Sequence, residues 1–240
     1  MNLLRERQSI ETLIESEHTD TALAGKLTLA LQISEFAACR LGIDTGDSYT
    51  QYVATGQSAA TWNVVAAPEV SLKPRTWCFP VSGCVAYRGY FKQEAAEEYA
   101  QKLADKAFDV VVSPAIAYST LGWFDDPLLD TMLQYSEEQL AAFIFHELAH
   151  RQLYVKGDSA FSEAYASFIE ETGVLLWLEA TGREARLDGW RVRQQASNEF
   201  RDLLLETRQQ LSEVYAADNA ASEKRAQKAS LFDELEIAYQ

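Results

Sequence analysis

His146 and His150 lie four residues apart with Glu147 beside the first of them, spelling H-E-x-x-H within a segment of helical periodicity. On a helix, residues i and i+4 project from the same face, so both imidazoles can reach one zinc ion. Glu147 is turned about 100° from His146, on the flank of the histidine face. From there its carboxylate can hydrogen-bond a water without taking a coordination position, which is the arrangement of metal-assisted hydrolysis. The chain has only three histidines, and two of them frame this glutamate. The competing reading is a pair of ordinary helix histidines beside a solvated charge, and the surroundings weigh against it.

Ser136 with Gln139 has the form of a capping box, and Leu140, Phe143, Ile144, Leu148 and Ala149 recur at helical spacing up to Lys156-Gly157. The motif is therefore expected mid-helix. Asp158 or Ser159 can cap a second helix whose apolar side carries Ala160, Phe161, Ala164, Tyr165, Phe168 and Ile169, running towards Trp177-Leu178 and Gly182. Counted from Gly157, His150 is seven residues back and Glu163 six forward. At ~1.5 Å rise per residue the two sit at similar heights on facing helices, which makes Glu163 a candidate third zinc ligand. Two histidines and a glutamate leave a fourth position for water, as in catalytic rather than structural zinc sites. Glu170, two turns on and nearer the height of His146, is a candidate acceptor for an imidazole N–H; the alternative is a solvated helix charge.

These residues resemble a bacterial family named for a zinc aminopeptidase activity, within the zincin superfamily. The resemblance rests on Ile144-Phe145-His146-Glu147-Leu148-Ala149-His150, Leu153-Tyr154-Val155-Lys156-Gly157-Asp158 and Phe161-Ser162-Glu163-Ala164-Tyr165-Ala166. Upstream it continues through Thr76–Pro80, Cys84–Phe91 and Ala117–Pro127, so it covers most of the chain. It implies a glutamate-type zincin in which Ser162-Glu163-Ala164-Tyr165-Ala166 stands for N-E-x-x-A, with Ser162 at the usual asparagine and a shorter spacer from His150 to Glu163. Zinc is the implied cofactor and a peptide the implied substrate, with Glu147 as general base. For the oxyanion the candidate is Tyr118, with Tyr165 and Arg88 behind it. The resemblance further suggests Thr120-Leu121-Gly122-Trp123 as an edge strand binding the substrate backbone, with Leu121 and Gly122 as contacts; a strand-to-turn corner is the alternative. Asp125, Asp126 and Glu171 are the acidic groups open to gripping a substrate ammonium. A zinc endopeptidase or amide hydrolase would use the same site, and a zinc-stabilised scaffold without turnover would keep the metal but not need Glu147. No G-x-S-x-G occurs, which disfavours a serine hydrolase.

Against 21 basic residues stand 36 acidic ones, a net charge of −15 that speaks against nucleic-acid and anionic-membrane partners. No apolar run approaches the roughly 18 residues of a membrane span, and Arg5, Glu6 and Arg7 interrupt the N-terminus, so the chain reads as soluble as it stands. The resembling family implies a periplasmic or envelope location where a leader has been removed. Cys78 and Cys84 flank a turn that permits a disulfide or two reduced thiols, and Cys39 is expected to be buried on an apolar helix.

The expected fold class is α+β and zincin-like: mainly helical, with a small mixed β-sheet packed beside the motif helix and a C-terminal helical hairpin. One domain is expected over residues 1–240. Two N-terminal helices occupy 1–48, the second with Leu23, Leu27, Ala30, Leu31, Ser34 and Ala38 as its stripe. A β-rich region over 49–135 includes runs at Trp62–Val65, Val70–Leu72, Thr76–Phe79 and Val85–Tyr87, then a helix from Gln93 to Ala107 and a strand at Phe108–Val112. The zinc-binding helix pair spans 136–182, and the hairpin spans 183–240 with a break near Asp218-Asn219 and a stripe of Phe200, Leu203, Leu204, Leu211, Val214 and Tyr215.

Overall fold

The computed structural model describes residues 6–79, 83–116 and 125–239. Along the chain the elements are β1 (Gln8–Ser9), α1 (Ile10–Glu15), α2 (Thr21–Arg40), β2 (Gln51–Val53) and β3 (Thr61–Pro68). Next come β4 (Trp77–Phe79), β5 (Gly83–Val85), β6 (Arg88–Tyr90), α3 (Gln93–Ala104) and β7 (Phe108–Ala115). The last are β8 (Leu128–Leu129), α4 (Glu137–Gln152), α5 (Ser159–Ala180), α6 (Leu187–Ala216) and α7 (Ala221–Tyr239). The chain divides into two compact units, Met1–Ala60 with Ile116–Trp190, and Thr61–Ala115 with Arg191–Gln240.

The first unit carries the motif helix. Its sheet is small and mixed, with β2 antiparallel to β1 and parallel to β8. Val53, Leu128 and Leu129 from those strands share one core with Leu27 and Ile33 of α2, Leu140, Ile144, Phe145 and Leu148 of α4, and Trp177 of α5. Ser136 and Gln139 form the capping box that starts α4, and Asp158 caps α5 by accepting from the Phe161 N–H at 3.0 Å. Close packing of these two helices depends on Gly173: a Cβ there would lie 2.8 Å from Phe145 Cδ2 and 3.0 Å from Leu41 Cδ1. At the far end of the pair, Arg183 donates to Glu137 and Arg186 to Glu138, each at 3.0 Å.

Three burial expectations shift. In α2 the covered face is Leu27, Ala30, Ile33, Ser34 and Ala37, so Ala38 and Cys39 point outward and Cys39 is an exposed thiol. Cys39 is about 200° from Ala37, the last core residue of that helix. In α5 the covered face is Ser162, Ala166, Gly173, Val174, Trp177 and Leu178, leaving Phe161 and Phe168 exposed. The core lies on the side of α5 where Ser162, Ala166 and Gly173 let α4 approach, and Phe161 and Phe168 fall on the other side. In α6 only Leu211 of the expected stripe is fully covered, with Phe200 and Leu204 about 40% exposed.

The second unit holds the longer strands. β3 pairs antiparallel with β7 over eight residues, from Thr61↔Ala115 to Pro68↔Phe108, and with β6 on its other edge. Helix α3 covers this sheet through Ala96 and Leu103, which meet Val64, Ala66 and Trp77. Val70–Leu72 is a turn rather than a strand, its Ser71 N–H donating to Pro68 O at 3.0 Å, and Arg88–Tyr90 takes the strand role expected for Val85–Tyr87. The β4–β5 hairpin is closed by a Cys78–Cys84 disulfide between register partners. Helix α7 follows α6 after a break at residues 217–220 and returns so that Tyr239 meets Phe200, ring centroids 4.9 Å apart. Arg225 and Lys228 of α7 hold Glu69 and Asp109 at the ends of β3 and β7.

Glu138 gives the helix pair a pH signature. Burial pushes its carboxyl pKa up, but its own backbone N–H, the Ser136 hydroxyl and the Arg186 guanidinium outweigh burial and hold it below the usual glutamate value of 4.5. A carboxyl depressed on folding stabilises the protein above its unfolded pKa, and that contribution is lost as pH falls through the folded value. Arg186 is 45% exposed, so solvent screening limits the pair to about 1 kcal/mol. Glu138→Gln should therefore lower the melting temperature at pH 7, and its deficit against wild type should shrink as the buffer is taken below pH 4.5. Parallel melting curves across that range would contradict the assignment.

Candidate metal centre

Helix α4 ends at Gln152, four residues earlier than Lys156, because Leu153 turns extended (φ −145°) while its N–H still reaches Ala149 O at 2.9 Å. The segment from Leu153 to Asp158 then reverses the chain into α5. Its brace is Ser162, which is fully buried: the hydroxyl accepts from the Val155 N–H at 3.1 Å and donates to Asp158 O at 3.0 Å. Ser162 thus braces the first turn of α5, next to Glu163.

Across that turn the three expected ligands meet. One donor atom from each of His146, His150 and Glu163 lies within 4.8 Å of the others. The Glu163 carboxylate spans both imidazoles, Oε2 at 3.3 Å from His146 Nε2 and Oε1 at 3.5 Å from His150 Nε2. Tetrahedral zinc with bonds of about 2.0–2.1 Å has donor-to-donor edges of roughly 3.3–3.4 Å, so these separations fit such an ion. The His146 and His150 rings stand edge to face at 82°, and Tyr154 packs edge-on against His150 with centroids 6.3 Å apart. His150 forms the floor at 6% exposure, while the Glu163 side chain is 60% exposed, which leaves the site open towards solvent on the α5 side.

Glu170 stands where its spacing implied: Oε2 accepts from His146 Nδ1 at 3.0 Å. A carboxylate on Nδ1 fixes the ring and the tautomer that leaves Nε2 as the ligating nitrogen. Burial pushes the His146 pKa down, but the Glu170 hydrogen bond and the charges of Glu147, Glu170 and Glu163 push it up, and the balance is upward. His150 differs, since its Nδ1 is buried and has no hydrogen-bond partner among the described residues. Glu147 lies on the flank of the histidine face, with Oε2 buried.

Other candidates fall elsewhere. Tyr118, Leu121 and Gly122 lie outside the described residues. Arg88 belongs to the second unit, its guanidinium stacked over the rings of Tyr90 and Tyr99 at 5.4 and 5.0 Å. Asp125 is engaged by Arg151 Nη1 at 2.8 Å and by the Asp47 N–H at 3.3 Å, which makes it a tie between α4 and the loop after α2 rather than an open carboxylate. Tyr49, which no motif singles out, is buried at 3% exposure with a left-handed backbone, φ 62°, uncommon for an aromatic residue. Its phenol pKa is pushed well above 10 by burial first, then by the charges of Glu147 and Asp126.

Among known proteins, the whole chain, residues 1–240, matches the model of a family described as "Putative aminopeptidase". No curated protein matches it, and no solved structure matches it.

Ser162→Ala tests the turn as the device that aims Glu163. It should cost about 1 kcal/mol of stability through the lost hydroxyl bonds and weaken zinc binding roughly tenfold, read by calorimetric titration. Unchanged zinc affinity would show that the turn is set by something else.

Proposed function

Since the chain belongs to this aminopeptidase family, we propose that it is a zinc-dependent peptidase of the zincin type that cleaves residues from a free peptide N-terminus. The observation that carries this reading is the Glu163 carboxylate at 3.3 and 3.5 Å from two imidazole nitrogens on the helix that also bears Glu147.

His146, His150 and Glu163 would hold the ion, and Glu170 would keep the His146 ring oriented through Nδ1. The chemistry that zinc supplies when bound is a water acidified towards a pKa of about 7 and a polarised scissile carbonyl. Glu147 is the general base: it takes the proton of the attacking water and hands it to the departing amine, so one carboxylate serves both halves of the reaction. Three protein ligands leave room for solvent, as hydrolysis requires. Oxyanion stabilisation by Tyr118, and substrate-backbone binding by Leu121 and Gly122, remain part of the proposal.

Charge supports a substrate with a free ammonium. The unit bearing the site has 21 acidic and 8 basic residues, a net charge of −13, whereas the other has 15 and 13, a net charge of −2. The acidity is concentrated where a cationic terminus would be drawn in. No helix among the described residues is long and apolar enough to cross a membrane. The Cys78–Cys84 disulfide supports an oxidising compartment.

Glu147→Gln should bind zinc as wild type does and lose hydrolysis by about 10²–10⁴-fold. In the wild type, acetylating the N-terminus of a peptide substrate should abolish cleavage. Retained cleavage of the blocked peptide would make the protein an endopeptidase or amide hydrolase. Full function in Glu147→Gln would point to a zinc-stabilised scaffold.

A further inference from the structure

The two histidines of α4 are anchored by different means. His146 gives Nδ1 to Glu170 Oε2 at 3.0 Å, so a carboxylate fixes its ring. His150 has no such anchor, because its Nδ1 is buried without a hydrogen-bond partner among the described residues. An imidazole so placed is held by what packs against it, and a ring that turned would carry Nε2 away from Glu163 Oε1, now 3.5 Å distant. Its aromatic neighbours are His146, with ring centroids 4.9 Å apart at 82°, and Tyr154, with centroids 6.3 Å apart at 73°. Both are edge-to-face pairs, inside the range of about 4.5–7 Å over which such contacts attract.

Resting on the reading of this cluster as a zinc site, we infer that Tyr154 is a positioning residue for His150. Its ring does by packing what Glu170 does for His146 by a hydrogen bond. Leu153 takes the chain out of the helix at φ −145°, so Tyr154 stands in the connector rather than on a further turn of α4. The connector is pinned on both sides of it: the Leu153 N–H donates to Ala149 O at 2.9 Å, and the Val155 N–H to the Ser162 hydroxyl at 3.1 Å. The ring is therefore presented to His150 from a fixed point in the chain. Tyr154 is 40% exposed and its hydroxyl has no hydrogen-bond partner among the described residues. Neither core burial nor a polar bond accounts for an aromatic residue here, whereas the contact with His150 does. A ligand ring already held in its binding orientation loses less conformational freedom when the ion arrives, and that saving appears as metal affinity.

The test titrates the metal-free full chain with zinc against a chromogenic chelator, and melting of the metal-free protein checks the fold of each variant. Y154A should weaken zinc binding about tenfold, the loss typical when a group that orients a metal-bound imidazole is removed. Y154F should stay within about twofold of wild type, because the ring and not the hydroxyl makes the contact. Y154A/H150A should bind no more weakly than H150A alone, since Tyr154 acts only through that ligand. Wild-type affinity in Y154A, a Y154F as weak as Y154A, or a further loss when Y154A is added to H150A would each overturn the inference. Should Y154A fail to fold, Y154L keeps bulk in the connector without an aromatic edge, and wild-type affinity there overturns it equally. A wild-type chain that takes up no zinc would instead bring down the metal reading beneath it.

Discussion

Three carboxylates crowd two imidazoles where α4 and α5 meet: Glu163 spans both Nε2 atoms, Glu170 holds His146 from behind, and Glu147 lies beside them. Such a cluster needs positive charge. The raised His146 pKa is the protein's response when a proton supplies it, and a divalent cation on the Nε2 side would supply more. Much of the first unit can be understood from this one arrangement. Gly173 lets the helices close on each other, Ser162 braces the reversal between them, and Arg183 and Arg186 tie their far ends.

Much of that was legible from residue types and spacing. Ser136–Gln139 and Asp158 are local capping signals, and local hydrogen bonds decide where helices start. Counting outward from Gly157 put Glu163 opposite the histidines because helical rise is nearly constant. Burial was harder to read. Apolar residues on α5 suggested a face with Phe161 and Phe168, yet the core took the small residues Ser162, Ala166 and Gly173, since close helix approach rewards small side chains over large ones. Cys39 turned outward for a related reason: the covered stripe of α2 passes through Ala37, not Ala38.

Long-range features left no mark in the sequence. No linker announces two compact units, and α6 runs unbroken through residues 190 and 191 where the division falls. The loop after α2 belongs to no motif, because its place depends on contacts between segments some 77–105 residues apart: Gly46 with Arg151, Asp47 with Asp125, and the Tyr49 N–H with Asp126. The sequence announces the chemical groups at the site, whereas the ties between α4 and the loop after α2 exist only once the chain is folded.

The central claim is one ion held by His146, His150 and Glu163, and X-ray absorption at the zinc edge on protein loaded with one equivalent of metal reads the ligands directly. The account predicts a shell of light atoms only, with two imidazole nitrogens and oxygens at about 2.0–2.1 Å, collapsing towards the spectrum of hydrated zinc in a Glu163→Ala, His150→Ala variant. A sulfur contribution at about 2.3 Å, pointing to Cys39, or a wild-type spectrum already that of free hydrated zinc, would contradict it.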